Sequence, residues 1–436
     1  MRFVKGMGLV GAALLASTMV ASAETITIAT VNNDDMVIMK KLSNVWEQKT
    51  GNQVNWVVLE ENTLRQRVTT DIATKGGQFD VLTIGSYEAP MWGKRGWLLP
   101  LDDFGSDYDY GDLFTSVRNG LSADGKLYAV PFYAESSFTM YRTDLFKKAG
   151  LTMPEKPTWD QIAKFADKLT DKSKKQYGIC LRGKPGWGEN MALLSTMVNT
   201  FGGRWFDMDW QPQLTSKAWK NAISFYVDLM HRDGPPGAAA NGFNENQALF
   251  GRGNCAIWVD ATSAAGRLYN KEQSQVGDVL GFARAPTEVT PHGANWFWAW
   301  SLAIPSTTKK EATAKSFVEW ATSKAYVKLV AQHDGWVAVP PGTRKSTYDN
   351  PKYQQAAPFA DMVLQAIKSA DPSQPTKDPV PYTGVQYVAI PEFQGIGTTV
   401  GQQIASALTG NESVDQALEN SQRATKRIME KAGYIK

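Results

Sequence analysis

Residues 25–30 read Thr-Ile-Thr-Ile-Ala-Thr, and they begin an alternation of strands and helices that decides the fold class. The alternation of polar and apolar side chains is typical of a half-buried strand. A helical pattern follows and meets its natural end at Gly51. A strand at 54–59, a helix at 63–73 and a strand at 79–84 complete a βαβαβ unit. This order favours an α/β fold with a parallel sheet and helices on its faces.

Polar side chains follow each of the three predicted strands. In sheets of this kind, ligands bind at the carboxyl ends of the strands, so we expect these residues to converge on one crevice. Asp34 and Asp35 also precede the first helix, and we expect them to act only as helix caps. The residues that follow the strands are Asn32, Asn33 and Asp34, then Glu60 and Glu61, then Ser86, Tyr87 and Glu88.

Residues 295–305 read Asn-Trp-Phe-Trp-Ala-Trp-Ser-Leu-Ala-Ile-Pro. In an extended segment, Trp296, Trp298 and Trp300 line one face. Such a wall is either buried core or a surface that packs against the C–H face of a carbohydrate or polyol. The chain contains 15 Trp, of which several have a simpler interpretation. Trp46, Trp219 and Trp320 have helical context and are expected in the core, whereas Trp205 fits either role.

An export signal begins the chain. Arg2 and Lys5 supply a basic start, residues 7–20 form an uncharged apolar run, and residues 21–23 read Ala-Ser-Ala, a cleavage motif. The apolar run is too short to cross a bilayer, and no other stretch reaches the roughly 18 to 20 apolar residues required. We therefore expect cleavage near Ala23, a periplasmic location and no membrane insertion.

The composition is that of an ordinary globular protein. Hydrophobic residues make up 43% of the 436 residues, and the formal net charge is +3. No long run of like charge favours a nucleic-acid or membrane-surface partner. The chain is too long for one hydrophobic core and suits two lobes. The two cysteines, Cys180 and Cys255, end or lie within strand-like segments. A disulfide and two buried thiols both remain open, because sequence does not give their separation.

The search for reactive chemistry excludes several classes of enzyme. The three histidines, His231, His292 and His333, lie in turn-like contexts and form no metal-ligand pattern. Motifs for redox cysteines, zinc proteases, serine hydrolases and phosphate loops are absent from the sequence. We therefore expect no metal or cofactor and assign no catalytic residue. A secreted glycoside hydrolase or lyase that uses Glu88 or Glu135 stays possible, because it needs only two carboxylates.

Several motifs resemble the family 1 extracellular solute-binding proteins of ABC importers. The motifs that are similar to the N-terminal part of these proteins are Ile-Thr-Ile-Ala-Thr, Glu-Gln-Lys-Thr-Gly at 47–51 and Phe-Asp-Val-Leu at 79–82. Internal motifs lie at 125–131 (Gly-Lys-Leu-Tyr-Ala-Val-Pro), 141–146 (Tyr-Arg-Thr-Asp-Leu-Phe), 302–305 (Leu-Ala-Ile-Pro), 310–314 and 317–320. The nearest resemblance within the family is to periplasmic sorbitol and mannitol binding proteins, carried by residues 32–36, 86–88 and the Trp296 ladder.

This resemblance implies the two-lobed periplasmic binding protein fold of type II. Each lobe is then a mostly parallel sheet flanked by helices, and the ligand cleft lies between the lobes. Residues 1–23 are the signal peptide, and residues 24–134 form the first lobe with 302–345 returning to it. Residues 135–301 form the second lobe with 346–436 returning to it.

The resemblance also implies a function, a partner and a binding site. The expected function is capture of a hexitol by hinge closure and delivery to an ABC permease, by a protein expected to be a monomer. A mono- or oligosaccharide ligand stays possible in place of a hexitol, and so does a lectin-like module that does not change shape. The implied ligand-binding residues are Asn33, Glu60, Tyr87, Glu88, Glu135, Arg182, Trp187, Asp260, Trp296, Trp298 and Trp336.

Overall fold

The computed structural model describes residues 23–436, which fold into two α/β lobes with a cleft between them. Most of the predicted export signal, residues 1–22, lies outside the described residues. The strands are β1 Thr25–Val31, β2 Gln53–Leu59, β3 Val81–Ile84, β4 Ser122–Ala123, β5 Lys126–Leu127, β6 Val130–Glu135, β7 Ser137–Arg142, β8 Tyr177–Cys180, β9 Cys255–Ala261, β10 Leu280–Arg284 and β11 Trp298–Ala303.

The first lobe is built on a five-stranded sheet in the order β2-β1-β3-β11-β6. As the βαβαβ pattern predicts, β1 pairs in parallel with both β2 and β3. The returning strand β11 is antiparallel to β3, with Leu302 opposite Thr83, and antiparallel to β6, with Trp298 opposite Glu135. The pairing of β11 with β6 therefore brings an indole and a carboxylate of the predicted site side by side at one end of the sheet.

The second lobe is built on a four-stranded sheet in the order β10-β7-β9-β8. Only β8 and β9 pair in parallel within this sheet, and the other neighbours are antiparallel. Both sheets are therefore mixed, whereas the resemblance implied mostly parallel ones. The antiparallel pairs are those of one strand in each lobe, β11 with β3 and β6 in the first and β7 with β9 and β10 in the second, and each joins segments that are distant in the chain.

Helices cover the faces of both sheets, and their ends follow local sequence signals. Helix α1 ends at Gly51, whose φ of 76° suits glycine, and α6 begins with a capping box between Thr158 and Gln161. The helices are α1 Asp34–Thr50, α2 Glu61–Thr74, α3 Glu88–Lys94, α4 Thr115–Gly120, α5 Thr143–Lys148, α6 Trp159–Leu169, α7 Asn190–Thr200, α8 Lys217–Asp233, α9 Phe243–Gly251, α10 Ala264–Tyr269, α11 Glu311–Ala321, α12 Lys324–His333, α13 Lys345–Tyr348, α14 Pro351–Ala356, α15 Ala360–Ser369, α16 Phe393–Leu408 and α17 Val414–Lys431.

The aromatic residues divide between core and cleft. Trp46 and Trp219 are buried in the cores of their lobes, as their helical context predicts, and Trp320 is half-buried. Trp205, for which two roles were open, lies in the second-lobe core. Its ring is 4.9 Å from Trp219 between centroids, and its Nε1 donates to Ser195 Oγ at 3.1 Å.

The chain crosses between the lobes earlier on its return than the sequence suggested. All of β11 pairs within the first-lobe sheet, so residues 298–301 lie in the first lobe and not in the second. The physical reason is that the Trp ladder is itself the start of that strand. The first crossing lies between β6 and β7, where Ser136 N–H donates to Thr262 Oγ1 at 3.1 Å.

A disulfide joins Cys180 at the end of β8 to Cys255 at the start of β9, with 5.9 Å between the Cα atoms. The structure thus decides between the two states that the sequence left open.

We expect the Cys180→Ser/Cys255→Ser double variant to lose about 2 to 5 kcal/mol of unfolding free energy, because the bridge closes a long loop in the unfolded chain. Urea unfolding of both proteins measures the loss. An equal free energy of unfolding for the two proteins would show that the disulfide does not stabilise the fold.

Candidate functional site

A cavity of about 440 Å³ lies between the lobes, next to the point where β6 leaves the first sheet. We call it the cleft cavity. Its walls combine aromatic rings, two arginines, two carboxylates and two amides, and both lobes contribute. The lining residues are Asn33, Glu61, Arg65, Glu135, Arg182, Trp187, Gly188, Ala192, Phe243, Trp296, Trp298, Trp300 and Gln386.

Arg65, on α2 of the first lobe, is held in a fixed position by two carboxylates. Its Nη1 donates to Glu88 Oε1 at 2.8 Å, and its Nη2 donates to Glu61 Oε1 at 2.8 Å. The guanidinium carbon lies 4.0 Å from the ring centroid of Trp187 and 4.9 Å from that of Trp298. Burial alone would lower the pKa of Arg65, but the two carboxylates raise it on balance. The cavity therefore contains a rigid cation with aromatic faces around it.

Arg182, which follows β8, is the corresponding cation of the second lobe. Its Nε lies 2.9 Å from Asp260 Oδ2, and its Nη2 lies 2.6 Å from Asp260 Oδ1. Trp258 Nε1 donates to the same carboxylate at 3.1 Å. Asp260 is completely buried, so the pair is a charge-assisted, desolvated contact that fixes the guanidinium beside Phe243.

Three indole N–H groups in the cavity wall have no protein acceptor. Nε1 of Trp187, of Trp296 and of Trp298 is buried without a hydrogen-bond partner among the described residues, although each ring is at least 95% buried. The Oε1 atom of Gln386 is likewise unpartnered. Buried donors and acceptors without partners are costly, so this wall is suited to a ligand with hydroxyl groups.

Glu135, at the end of β6, supplies a buried carboxyl group to the cleft cavity. Its Oε2 accepts a hydrogen bond from Ser263 Oγ of the second lobe at 2.5 Å. Burial raises the pKa of Glu135 to about 8, although the Ser263 hydroxyl and the Arg182 charge both lower it. Glu61 adds a second carboxylate on the first lobe. Hydroxyls that donate to the Glu61 carboxylate would make stronger hydrogen bonds than neutral pairs make, while the Glu135 carboxyl, with its raised pKa, can both accept from and donate to a hydroxyl near neutral pH.

A short second-lobe segment, Lys184–Gly188, closes over the first lobe, and we call it the closing segment. Lys184 Nζ lies 2.7 Å from Glu60 Oε1, and Asn62 Nδ2 donates to Pro185 O at 3.0 Å. The ring of Trp187 lies against the Arg65 guanidinium. The closing segment therefore joins the two lobes through an ion pair, a hydrogen bond and a cation–π contact at once.

The predicted site residues fall into two groups. Asn33, Glu135, Arg182, Trp187, Trp296 and Trp298 line the cleft cavity together. Three others, Tyr87, Glu88 and Asp260, do not line the cavity but contact residues that do. The Tyr87 ring packs 4.7 Å from Trp187, while Glu88 and Asp260 hold the two arginines.

Two predicted residues and one cap assignment differ from the sequence interpretation. Glu60 lies outside the cleft cavity, because it caps α2 through Thr63 N–H at 3.1 Å and pairs with Lys184. Trp336 lines a separate surface pocket with Lys328. The N-cap of α1 is Asn33 and not Asp34, whose carboxylate instead contacts Arg267 and accepts from Gln247 Nε2 at 2.8 Å.

Seven residues of the wall were absent from the sequence-based set, namely Glu61, Arg65, Gly188, Ala192, Phe243, Trp300 and Gln386. Glu61 and Arg65 lie in the first turns of a helix, where charged residues usually face solvent. Their spacing of four gives only an ordinary helical ion-pair pattern. Trp300 belongs to the Trp ladder, and its period-two position was the available signal. Phe243 and Gln386 come from segments that carry no motif.

Other kinds of site find little support in the described structure. Across residues 23–436, no cluster of three or more His, Cys, Asp and Glu side chains is arranged to hold a metal ion. In the same residues, no helix combines the length and the apolar character that a membrane crossing requires.

Solved structures support the fold. The chain matches a crystal structure of an ABC transporter solute-binding protein from Agrobacterium vitis with bound D-mannitol. The TM-score is 0.94 and the identity 62%, over 95% of this chain and 100% of that one. A solute-binding protein from Agrobacterium radiobacter in complex with ribitol matches with a TM-score of 0.81 and 25% identity, over 93% and 98% of the two chains. The two-lobed fold predicted from the sequence is thereby confirmed.

Sequence comparison leads to the same family. The chain is 57% identical to a mannitol-binding protein of Pseudomonas aeruginosa over 427 residues, which is 98% of each protein. Residues 31–328 match the family model of the bacterial extracellular solute-binding proteins. These relatives are binding proteins and not enzymes, so nothing supports a glycoside hydrolase. The chain belongs to the bacterial extracellular solute-binding protein family.

Proposed function

We propose that this protein is the periplasmic binding component of an ABC importer for a hexitol, with D-mannitol as the preferred ligand. The observation that carries the proposal is the cleft cavity, whose lining combines fixed arginines and carboxyl groups with three indoles whose N–H groups are unpartnered. The names of the relatives with 57% and 62% identity support the same ligand class. The export signal is cut near Ala23, and the loaded protein delivers its ligand to a membrane permease.

The chemistry of the wall suits an acyclic polyol. Arg65 and Arg182 donate to hydroxyl oxygens, while Glu61 and Glu135 accept from hydroxyl hydrogens. The indole faces exclude water from the carbon chain. Both arginines are already held by carboxylates, so the site needs little rearrangement to bind a neutral ligand.

Hinge closure gives the cavity its selectivity. The two arginines lie on different lobes, and a ligand that contacts both stabilises the closed arrangement. The contacts of the closing segment form in that arrangement only, so ligand binding and closure are coupled. A ligand that contacts only one lobe does not stabilise the closed arrangement.

Calorimetry with a panel of neutral ligands tests the proposal. We expect D-mannitol to bind with a Kd at or below the micromolar range, equivalent to roughly −8 kcal/mol, and to raise the melting temperature. Ribitol should bind more weakly, since it lacks one hydroxymethylene unit. A decrease in the radius of gyration on binding would exclude a rigid lectin-like module.

Control ligands make the result decisive. A glycoside incubated with the protein should remain intact, and a disaccharide should give no heat. Tighter binding of a mono- or oligosaccharide than of any hexitol would contradict the proposal and leave the family assignment untouched.

A further inference from the structure

A second cavity, of about 520 Å³, lies between the lobes beside the crossing strands. We call it the hinge cavity, and its lining shares no residue with that of the cleft cavity. The first lobe contributes acidic residues, and the second lobe contributes hydroxyls, amides and an arginine. The lining residues are Asp34, Asp35, Ile38, Thr262, Ser263, Gly266, Arg267, Asn270, Gln273, Val337, Ala338, Val339, Pro341, Tyr353 and Phe359.

Asp35 is the unusual group in this wall. The residue is 91% buried, its own backbone N–H donates to the carboxylate, and within residues 23–436 no other residue donates a hydrogen bond to it or forms an ion pair with it. The nearest cation of the wall, Arg267, instead contacts the neighbouring Asp34. Burial raises the pKa of Asp35 well above its ordinary value, and the charges of Asp34 and Glu135 raise it further.

The first turn of α1, in which Asp35 lies, gives its carboxylate partial stabilisation, and full stabilisation of a buried carboxylate comes from protonation or from a positively charged partner. The hinge cavity has room for such a partner next to Asp35. The described residues provide no cluster of acidic or imidazole groups that suits a metal ion, so an organic cation fits better. Val337, Ala338 and Phe359 offer an apolar wall for its carbon atoms, while Asn270 and Gln273 offer amides for its hydroxyls.

We propose that the hinge cavity binds a small organic ammonium ion, such as a protonated amino alcohol, whose N–H groups donate to Asp35. Both lobes line this cavity, so the bound cation would stabilise the closed form. Linkage then requires that the cation increase the affinity for the hexitol and that the hexitol increase the affinity for the cation. This coupling rests on the proposed function, whereas the cavity itself does not.

Calorimetry in phosphate buffer tests the inference, with ethanolamine as the probe and ethylene glycol as its neutral counterpart of similar size. Protein saturated with D-mannitol should give saturable heat with ethanolamine and none with ethylene glycol. Saturating ethanolamine should lower the Kd of D-mannitol about fivefold or more. The Asp35→Asn variant should lose both effects, and the exposed control Asp415→Asn should keep them.

A second variant separates cavity filling from loss of charge. Ala338→Leu places extra volume in the hinge cavity and leaves Asp35 intact, so it should also abolish the ethanolamine response. Equal binding of ethylene glycol, or an unchanged ethanolamine response in either variant, would overturn the proposal. Absence of ethanolamine binding to the unmodified protein would do the same. If D-mannitol does not bind but ethanolamine does, only the proposed function is refuted. Ethanolamine can be titrated into the ligand-free protein to establish this.

Discussion

Replacement of Asp260 by alanine should lower both the stability of the protein and its affinity for D-mannitol. The change removes the carboxylate that accepts from both Nε and Nη2 of the buried Arg182 guanidinium, and among the described residues the only carboxylate contact that remains is the longer one of Nη1 with Glu189 at 3.7 Å. Removal of one member of a buried ion pair typically costs about 3 to 5 kcal/mol. The released guanidinium no longer presents its donors to the ligand in a fixed geometry, so affinity should fall about tenfold to hundredfold.

Urea unfolding and calorimetry measure the two effects separately. A matched control is Asp415→Ala, which removes an exposed partner of Lys220 and should change stability by less than about 1 kcal/mol. The milder Asp260→Asn variant keeps a folded protein for the binding measurement. Hexitol binding by Asp260→Asn and Asp260→Ala that equals the parent would show that Arg182 does not orient the ligand.

Replacement of Gly188 by alanine should weaken D-mannitol binding while the unliganded protein keeps its stability. Gly188 lies in the closing segment, where a Cβ atom would overlap the Glu61 carboxylate and lie 2.9 Å from Arg65 Nε. The added methyl group thus meets the opposite lobe only when the cleft is closed. Overpacking of this kind costs about 1 to 3 kcal/mol, which corresponds to a loss of affinity of roughly fivefold to somewhat more than hundredfold.

Small-angle scattering distinguishes this effect from simple damage. Saturating D-mannitol should compact the parent protein more than Gly188→Ala, and both should melt at the same temperature without ligand. The control is Gly395→Ala on α16, where a Cβ atom meets nothing within 4 Å. Full compaction of Gly188→Ala with unchanged affinity would contradict the role given to the closing segment.

The sequence predicted the local elements well, because their signals are local. The period-two pattern at 25–30 corresponds to the observed strand β1, and the glycine stop at Gly51 corresponds to the observed end of α1. All three residues of the Trp ladder line the cleft cavity, although Trp296 precedes β11 and only Trp298 and Trp300 belong to that strand. The crossing at residue 298 was missed, since a strand that pairs in the middle of a distant sheet has the same local pattern as any other strand.

The binding site was predicted less completely for a related reason. Residues that follow strands could be identified, but Arg65 reaches the cavity only because α2 of one lobe faces the closing segment of the other. Asp260 and Glu88 were recognised as polar residues near the cleft, yet their contacts with arginines depend on tertiary distances. Local pattern does not distinguish a residue that touches the ligand from one that holds its neighbour.

The position of β11 also has a consequence for the timing of folding. This strand, near residue 300, completes the first-lobe sheet by inserting between β3 and β6. A nascent chain that ends before residue 298 therefore leaves both neighbours without their shared partner. Such long-range pairing makes folding slow, because the cost of closing a long loop comes before its contacts form. We expect the first lobe to stay unfolded during most of synthesis, which keeps the chain extended while the export signal directs it across the membrane.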